Sequence, residues 1–236
     1  MLVGMKMTGL VGGLSWYSTA QYYRAINEET QRRIGGHASA EIAMRSVDFA
    51  AVREHQLRED WAAAGRMLSE AAVQCEAAGA DVVLICSNLM HKVADDVASA
   101  VSVPLLHIAD VVAAEAAARG LTEVGLLATR WVMEEPFYRE RLAAAGVQCR
   151  TPDAADRAMV DRVIFDELTQ GTVTRDSAQA YAQVIERLVD DGAQAIVLAC
   201  TEIELLVRPE DCPVPLLDSM ALHARAAVDL ALEPSL

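Results

Sequence analysis

The stretch "GADVVLICSNLMHK", Gly79–Lys92, determines how the rest of the chain is interpreted, because an apolar run ends there on a cysteine that polar residues follow. Aliphatic and β-branched residues between a glycine and a polar turn are typical of a buried strand. The thiol of Cys86 is therefore either the last buried group of this strand or a group held at the strand's end for chemistry. A second stretch, "GAQAIVLACTEIELL", repeats the pattern and has Cys200 at the corresponding position.

Other landmarks recur in the same order and at a nearly constant separation. The apolar run that begins at Gly9 recurs at Gly125, and Val-Pro-Leu-Leu begins at both Val103 and Val214. Each half alternates short apolar runs with longer amphipathic segments, which indicates parallel strands joined by helices. We therefore predict an α/β fold of two pseudo-symmetric three-layer α/β domains with mainly parallel sheets. The predicted first domain comprises residues 1–106 and 216–236, and the predicted second domain comprises residues 107–215.

Composition limits the classes of function. The 236 residues are 53% hydrophobic and carry a net charge of −14 without a basic run, which argues against binding to nucleic acid or to an anionic membrane. No apolar run approaches the roughly 20 residues of a membrane span. The first residues lack the layout of a signal peptide, so we expect a cytoplasmic protein. Five unclustered cysteines argue against a disulfide framework or a zinc site, and we predict no metal.

The two matched cysteines suggest a shared site. Ligands of open parallel sheets collect beyond the carboxyl ends of the strands, where Cys86 and Cys200 are both predicted to lie. Two similar units that face each other would present the thiols across one inter-domain cleft, where we predict the active site. The residues after each cysteine offer hydroxyl, amide and backbone donors suited to a carboxylate. Such a pair could remove a proton from one face of a carbon and return a proton to the other.

Other interpretations of the cysteines remain open from the residues alone. Cysteine–histidine hydrolysis needs one nucleophile and one base, and would leave the second cysteine without a role. A thiol–disulfide switch is possible, although the chain has no C-x-x-C motif. Most free cysteines are small buried hydrophobic residues. The matched pair favours proton transfer, and we assign no chemistry to the other cysteines, which are Cys75, Cys149 and Cys212.

Five segments together resemble the aspartate/glutamate racemase family, and most closely its broad-specificity amino-acid racemase branch. They cover nearly the whole chain and read "GLVGGLSWYSTAQYYRAIN", "SVDF", "CSNLMHKVAD", "ATRWVMEEPFYRERL" and "CTEIELLV". The resemblance implies a racemase or epimerase of an amino acid or related carboxylate that needs neither pyridoxal phosphate nor a metal and forms a homodimer. It also implies that Cys86 and Cys200 are the two opposing acid/base groups.

The resemblance further implies a set of substrate-binding residues. Asn88 and the backbone after it would bind the substrate carboxylate from one side. Thr201, together with Thr129, would bind it from the other side. Ser15, in the first glycine-rich turn, would line the pocket.

Two further residues are candidates to support the cysteines. Glu202 follows Cys200 closely and could orient or deprotonate it, although a carboxylate at a helix start also interacts favourably with the helix dipole. His91 could assist Cys86, and it could equally pack against or cap the helix that it opens. The other histidines are expected to be surface or packing residues: His37, His55, His107 and His223.

The chain departs from the family pattern at positions that bear on the substrate. Leu89 and Val132 replace threonines, Ala128 replaces a glycine and Tyr17 replaces a glutamate. The hydroxyl lost at Leu89 removes one possible hydrogen bond, on the order of 1 kcal/mol. If these side chains face the pocket, the substrate has a less acidic side chain than aspartate. Arg45 is the nearest candidate partner for a distal carboxylate and would keep acidic substrates possible.

Two alternatives to a racemase remain. One is another enzyme of the same superfamily, either an isomerase of an unsaturated diacid or a decarboxylase of a small dicarboxylic acid. A decarboxylase needs only one proton donor, so two cysteines weigh against it. The other alternative is a non-catalytic protein that binds a small carboxylate.

Overall fold

The computed structural model describes residues 4–233, which divide into two compact units. One unit extends to Ile108 and resumes at His223, and the other comprises Ala109–Leu222. Residues 1–3 and 234–236, which the sequence-based division assigns to the first domain, lie outside the described residues.

The first unit is built around a four-stranded parallel sheet with the strand order β2-β1-β3-β4. Its central strands, β1 and β3, are fully buried. The elements in chain order are β1 (Thr8–Gly12), α1 (Trp16–Ile34), β2 (Ile42–Ser46), α2 (Phe49–Leu57), α3 (Trp61–Ala77), β3 (Val82–Ile85), a 3₁₀ helix (Leu89–Val93), α4 (Ala94–Ala100), β4 (Leu105–Leu106) and the start of α5 (Ile108–Ala118).

The second unit repeats this arrangement with the strand order β6-β5-β7-β8, again all parallel. The elements that follow α5 are β5 (Glu123–Ala128), α6 (Arg130–Glu134), α7 (Pro136–Ala144), β6 (Gln148–Arg150), α8 (Ala154–Asp166), α9 (Arg175–Asp190), β7 (Ile196–Ala199), β8 (Leu216–Asp218), α10 (Ser219–Leu232) and three short 3₁₀ helices (Leu168–Gln170, Ile203–Leu205 and Pro209–Asp211). The predicted α/β class with parallel sheets is thus confirmed. Strand β8 pairs with β7 in this second sheet, although the sequence-based division assigned residues 216–236 to the first domain.

The same physical reason explains why a glycine occupies the corresponding position of β1 and β5 in the two units. A Cβ atom at Gly9 would lie 2.9 Å from the Cβ of Ala80 and 3.0 Å from the Cβ of Cys75, so the glycine lets the α3 region approach the sheet closely. A Cβ atom at Gly125 would lie 2.7 Å from Cδ1 of Ile196 and 3.1 Å from Cδ1 of Leu188, a residue of α9. The glycine repeat in the sequence therefore reflects close helix–sheet packing.

The helices begin where side chains satisfy their first backbone N–H groups. Asp60 caps α3 by accepting a hydrogen bond from the Ala63 N–H, and Asp153 and Thr174 cap α8 and α9 in the same way. Helix α9 buries one face at helical spacing, formed by Ser177, Tyr181, Val184, Ile185 and Leu188. Within residues 4–233, we find no helix with the length and apolarity needed to cross a membrane.

Candidate active site

Cys86 is the first residue after β3 and lies at the carboxyl end of the first sheet. Its backbone N–H donates a hydrogen bond of 2.9 Å to the carbonyl of Val11 in the neighbouring strand β1. The side chain is fully buried. Burial raises the pKa of the Cys86 thiol well above its usual range, and the nearby Cys75 thiol adds to the effect. The resting thiol is therefore protonated.

A tight turn follows Cys86 and carries two of the predicted binding residues. The Ser87 N–H donates to the carbonyl of Ile85 at 2.8 Å, and a 3₁₀ helix begins at Leu89. Asn88 and Leu89 are both buried in this turn. The structure therefore brings both residues to the sheet end that carries Cys86.

The glycine-rich turn after β1 brings Ser15 to the same end of the sheet. Gly13 has a φ of +82°, and a Cβ atom there would lie 2.1 Å from the Val47 carbonyl oxygen, so this position requires glycine. The Gly13 N–H donates to Oγ1 of Thr19 at 2.8 Å, and the same hydroxyl donates to the Ser15 carbonyl at 3.0 Å. Ser15 is buried at the start of α1. Since β1 and β3 are paired, Ser15 and Cys86 follow neighbouring strands.

Cys200 occupies the corresponding position in the second unit, directly after β7. Its thiol donates to a carboxylate oxygen of Glu202 at 3.2 Å, and the Thr201 hydroxyl donates to the same oxygen at 2.8 Å. All three residues are buried. Burial raises the pKa of the Cys200 thiol, and the negative charge of Glu202 raises it further. The carboxylate is thus positioned to accept the proton of the thiol.

Thr129 lies beside Cys200 at the end of the second sheet. Ala128 and Ala199 are paired in β5 and β7, so the residues that follow them are neighbours at the edge. Thr129 precedes α6, and its hydroxyl makes no capping hydrogen bond to that helix. The hydroxyl oxygen is buried and has no hydrogen-bond partner among residues 4–233. Burying a hydroxyl without a hydrogen-bond partner costs roughly 1–3 kcal/mol. The Thr129 hydroxyl is therefore suited to form a hydrogen bond with a bound ligand.

A carboxyl pair near Cys200 was not predicted from the sequence. Glu204 lies in the 3₁₀ helix after Cys200, and Asp218 ends the adjacent strand β8. Burial raises the pKa of Glu204 to about 9, and the charges of Asp218 and Glu202 contribute. Glu204 therefore holds a proton at neutral pH. Only the "Glu-Ile-Glu" spacing after Cys200 could have drawn attention to it in the sequence.

Arg45, the candidate partner of a distal carboxylate, lies one residue before the end of β2, and its guanidinium is occupied by hydrogen bonds there. Its guanidinium Nε donates to the side chain of Gln74 in α3 at 2.7 Å, and Nη1 donates to the carbonyl of Ser46. Arg45 is also exposed on β2. Among the predicted site residues of the first unit, Ser15, Cys86, Asn88 and Leu89 are brought to the end of the sheet.

His91 binds backbone groups through both of its ring nitrogens. Its Nδ1 lies 2.7 Å from the carbonyl oxygen of Ser87, and its Nε2 lies 3.2 Å from the backbone nitrogen of Ile108. Of the other histidines, His107 and His223 are buried, whereas His37 is exposed and His55 is half-buried. Among residues 4–233 there is no group of three or more His, Cys, Asp or Glu side chains that could hold a metal ion.

The two sheet ends offer a consistent chemistry. Each unit has one buried thiol directly after its third strand in chain order. The Ser87 hydroxyl and the Asn88 amide follow Cys86, and the Thr201 hydroxyl follows Cys200. Such groups can exchange a proton with a carbon acid and bind a carboxylate. In the second unit a carboxylate is hydrogen-bonded to the thiol, whereas in the first unit the turn after Cys86 is held by backbone bonds and a histidine.

The chain is also similar to known proteins. A profile described as Asp/Glu/hydantoin racemase matches residues 11–227. A crystal structure of a candidate Asp/Glu racemase from Yersinia pestis is 46% identical, with a TM-score of 0.92, and the match covers 97% of this chain and 100% of the other.

Two curated relatives extend the comparison. The broad-specificity amino-acid racemase RacX of Bacillus subtilis (strain 168) is 21% identical over 223 residues, covering 94% of this chain and 96% of RacX. An uncharacterised protein of Pectobacterium carotovorum subsp. carotovorum is 35% identical over 92 residues. That match covers 38% of this chain and only 58% of the Pectobacterium protein, which is less than two thirds of its length.

Proposed function

Since this chain belongs to the Asp/Glu/hydantoin racemase family, we propose that it is an amino-acid racemase or epimerase in which Cys86 and Cys200 act as the two acid/base groups. The observation that carries the proposal is the matched position of the two thiols, each directly after the third strand of a sheet with the same strand order. One cysteine, as thiolate, takes the α-proton of the substrate. The other, as thiol, returns a proton to the opposite face, and the reverse reaction exchanges the roles.

The raised pKa values of both thiols fit this chemistry. An α-proton is weakly acidic, and a thiolate with a raised pKa is a stronger base toward it. The ammonium group of a bound amino acid brings a positive charge, which would stabilise a nearby thiolate. We infer that the reactive thiolate forms when the substrate binds: the Cys200 thiol gives its proton to the Glu202 carboxylate, and the Cys86 thiol gives its proton to solvent as the substrate enters.

The hydroxyl and amide groups at the sheet ends would bind the substrate carboxylate. The buried Thr129 hydroxyl, which has no partner within residues 4–233, supports this role most directly. We propose the same role for Asn88, Ser15 and Thr201, which are also buried. Donors around the carboxylate would also stabilise the negative charge that develops when the α-proton leaves.

We assign Glu202 to the Cys200 half of the reaction. Its carboxylate accepts a hydrogen bond from the Cys200 thiol at 3.2 Å and another from the Thr201 hydroxyl at 2.8 Å. His91 is left out of the proton transfer, because both of its ring nitrogens are bound to backbone groups.

We propose a substrate with a less acidic side chain than aspartate. Leu89 lies in the turn after Cys86, and the guanidinium of Arg45 is bound to Gln74 and Ser46. The support for this substrate class comes from Leu89 and Arg45. A clear preference for aspartate over neutral amino acids in a racemisation assay would contradict it.

The decisive experiment follows the α-proton in deuterium oxide. The protein is incubated with a panel of single-enantiomer amino acids, and loss of the α-proton signal and formation of the other enantiomer are measured. We expect both changes for at least one amino acid, and we expect Cys86→Ser and Cys200→Ser each to abolish racemisation. Cys212→Ser, a free cysteine outside the strand ends, is the matched control and should keep full activity. Near-full activity in either of the first two variants would rule out the two-base mechanism.

We further propose that the enzyme works without pyridoxal phosphate, acts in the cytoplasm and forms a homodimer. Five free cysteines suit a reducing compartment. The aromatic side chains of Trp16, Tyr17 and Tyr23 are exposed on α1, and exposed apolar groups of this kind are common at subunit contacts. Light scattering coupled to gel filtration would test the dimer, and a monomer at assay concentration would contradict it.

A further inference from the structure

Three of the five histidines meet in the interior of the first unit. The rings of His91 and His107 have centroids 4.5 Å apart, and those of His91 and His223 are 5.6 Å apart. All three side chains are at least nine-tenths buried. They come from the 3₁₀ helix after Cys86, from the segment after β4 and from α10. The sequence does not reveal this cluster, because His223 is far from the other two along the chain.

The hydrogen bonds of His91 determine its tautomer. The Ser87 carbonyl can only accept, so Nδ1 must carry a proton and donate to it at 2.7 Å. The Ile108 backbone N–H can only donate, so Nε2 must be unprotonated and accept from it at 3.2 Å. His91 is therefore a neutral imidazole whose two bonds join the turn after Cys86 to the start of α5.

His223 is held in a similar way and supports the ring of His91. Its Nε2 donates to the carbonyl of Leu106 at 2.9 Å, so its Nδ1 accepts from the Tyr22 hydroxyl, also at 2.9 Å. Tyr22 is fully buried in α1. The cluster thus links α1, β4 and α10 to the turn that follows Cys86.

We propose that His91 is a positioning residue of the active site: as a neutral imidazole, it fixes the turn Cys86–Asn88 through the Ser87 carbonyl. The inference rests on the proposed role of Cys86. Ser87 is the residue next to Cys86, and Asn88 directly precedes the 3₁₀ helix that contains His91. A shift of this carbonyl would move both the thiol and the carboxylate-binding amide. Misplacement of reacting groups by about 1 Å can cost on the order of 100-fold in rate.

The surroundings of His91 favour the neutral form. The rings of His107 and His223 face the ring of His91, and the Tyr22 hydroxyl lies beyond His223. Lys92, the next residue, has its ammonium 4.7 Å from the centre of the Trp61 ring. A proton on Nε2 would face the Ile108 N–H and replace an attraction by a repulsion.

Two substitutions separate the two bonds of His91. The amide nitrogen of Asn can take the place of Nδ1 and donate to Ser87, whereas the amide oxygen of Gln can take the place of Nε2 and accept from Ile108. Each variant loses one neutral hydrogen bond, so we expect similar melting temperatures. We expect H91N to keep kcat within about threefold of the wild type and H91Q to lose at least about tenfold. Equal kcat losses in the two variants would overturn the proposal.

A second measurement does not depend on catalysis. We expect the amides of residues 86–93 to exchange with deuterium oxide about tenfold faster in H91Q than in H91N, with other segments of the first unit unchanged. Equal exchange in this segment would overturn the inference. If the wild type shows no α-proton exchange with any amino acid, the proposed function fails while this measurement still decides the role of His91.

The wild-type protein provides a third test if either variant fails to fold. Long-range ¹H–¹⁵N NMR distinguishes the two neutral tautomers and the imidazolium, and exposed His37 serves as the internal reference. We expect the Nδ1–H tautomer for His91 at pH 7. The opposite tautomer, or a protonated ring, would overturn the proposal.

Discussion

The two units share a strand order and the position of a cysteine, but they surround that cysteine with different chemistry. The turn after Cys86 is held by backbone hydrogen bonds and a neutral histidine, among further buried imidazoles. The thiol of Cys200 donates to the carboxylate of Glu202, with Glu204 and Asp218 nearby. The repeat therefore preserves where the thiol lies and changes which group can take its proton.

This difference suggests that the two halves of the proposed reaction are not equivalent. A racemase transfers a proton in both directions, so each cysteine must act once as base and once as acid. Only Cys200 has a carboxylate as its hydrogen-bond acceptor in the described part of the chain. Substitutions on the two sides should therefore have unequal and recognisable effects.

The largest expected effect is on catalysis, in the variant Glu202→Gln. Glutamine keeps the size of the side chain but cannot accept the proton of Cys200, so we expect kcat to fall about 100-fold, within the usual range for a general base. Racemisation is measured from both enantiomers, with deuterium incorporation followed in each direction. Exposed Glu210 provides the control variant Glu210→Gln, which should behave as the wild type. Activity of Glu202→Gln within threefold of the wild type would show that Glu202 is not a base.

The second effect is on stability in acid and concerns His223 in the first unit. Burial lowers the pKa of this imidazole to about 3, and the neighbouring His91 contributes. Between pH 6.5 and 3 the unfolded chain binds a proton there that the folded chain does not, so acid favours unfolding. The free energy of unfolding should fall by about 1.4 kcal/mol per pH unit in this window from this group alone.

The variant His223→Gln should remove that slope while keeping a donor for the Leu106 carbonyl. The free energy of unfolding is measured with denaturant at pH 7 and at pH 5. Its loss between these two pH values should be about 2 kcal/mol larger for the wild type than for His223→Gln. The matching change at exposed His37, His37→Gln, should leave the wild-type slope intact. A wild-type slope in His223→Gln would mean that the imidazole is not held neutral by the fold.

Much of the fold could be predicted from the sequence because the two halves repeat. The paired glycines and cysteines mark β1, β3, β5 and β7, the buried centres of the two sheets. Other elements gave weaker patterns. Helix α5 consists mainly of alanine and valine and so lacks a polar face along most of its length, and β6 has only three residues. Periodicity alone does not identify such segments.

The candidate site could be predicted only where neighbours in space are also neighbours in sequence. Cys86 with Asn88, and Cys200 with Glu202, lie within single motifs. The Glu204–Asp218 pair arises from the pairing of β7 with β8, and the contact of His91 with His223 arises from the return of the chain in α10. These contacts depend on tertiary packing, which no local pattern encodes.

A smaller effect should separate the two equivalent glycines. In Gly9→Ala the new methyl group would meet Cβ atoms and the Val82 backbone carbonyl, which cannot move without shifting the backbone. In Gly125→Ala its two shortest contacts would be with the ends of the flexible Ile196 and Leu188 side chains, and the Leu188 Cβ would lie farther away at 3.3 Å. We expect Gly9→Ala to lower the free energy of unfolding by about 2 kcal/mol and Gly125→Ala by less than about 1 kcal/mol. The reverse order in urea unfolding would show that the first unit has the more adaptable packing.

The smallest expected effect concerns Glu204, the protonated carboxyl of the second unit. Burial, with the charges of Asp218 and Glu202, raises its pKa to about 9 from an ordinary 4.5. In that range the folded chain holds a proton that the unfolded chain has lost, so this contribution to stability declines as the pH rises. Because the carboxyl is partly exposed, we expect less than about 1 kcal/mol per pH unit. Glu204→Gln should remove the decline between pH 6 and pH 8 in urea unfolding under reducing conditions, and Glu210→Gln should not. An unchanged decline in Glu204→Gln would mean that Glu204, beside Asp218, is ionised and not protonated in the folded protein.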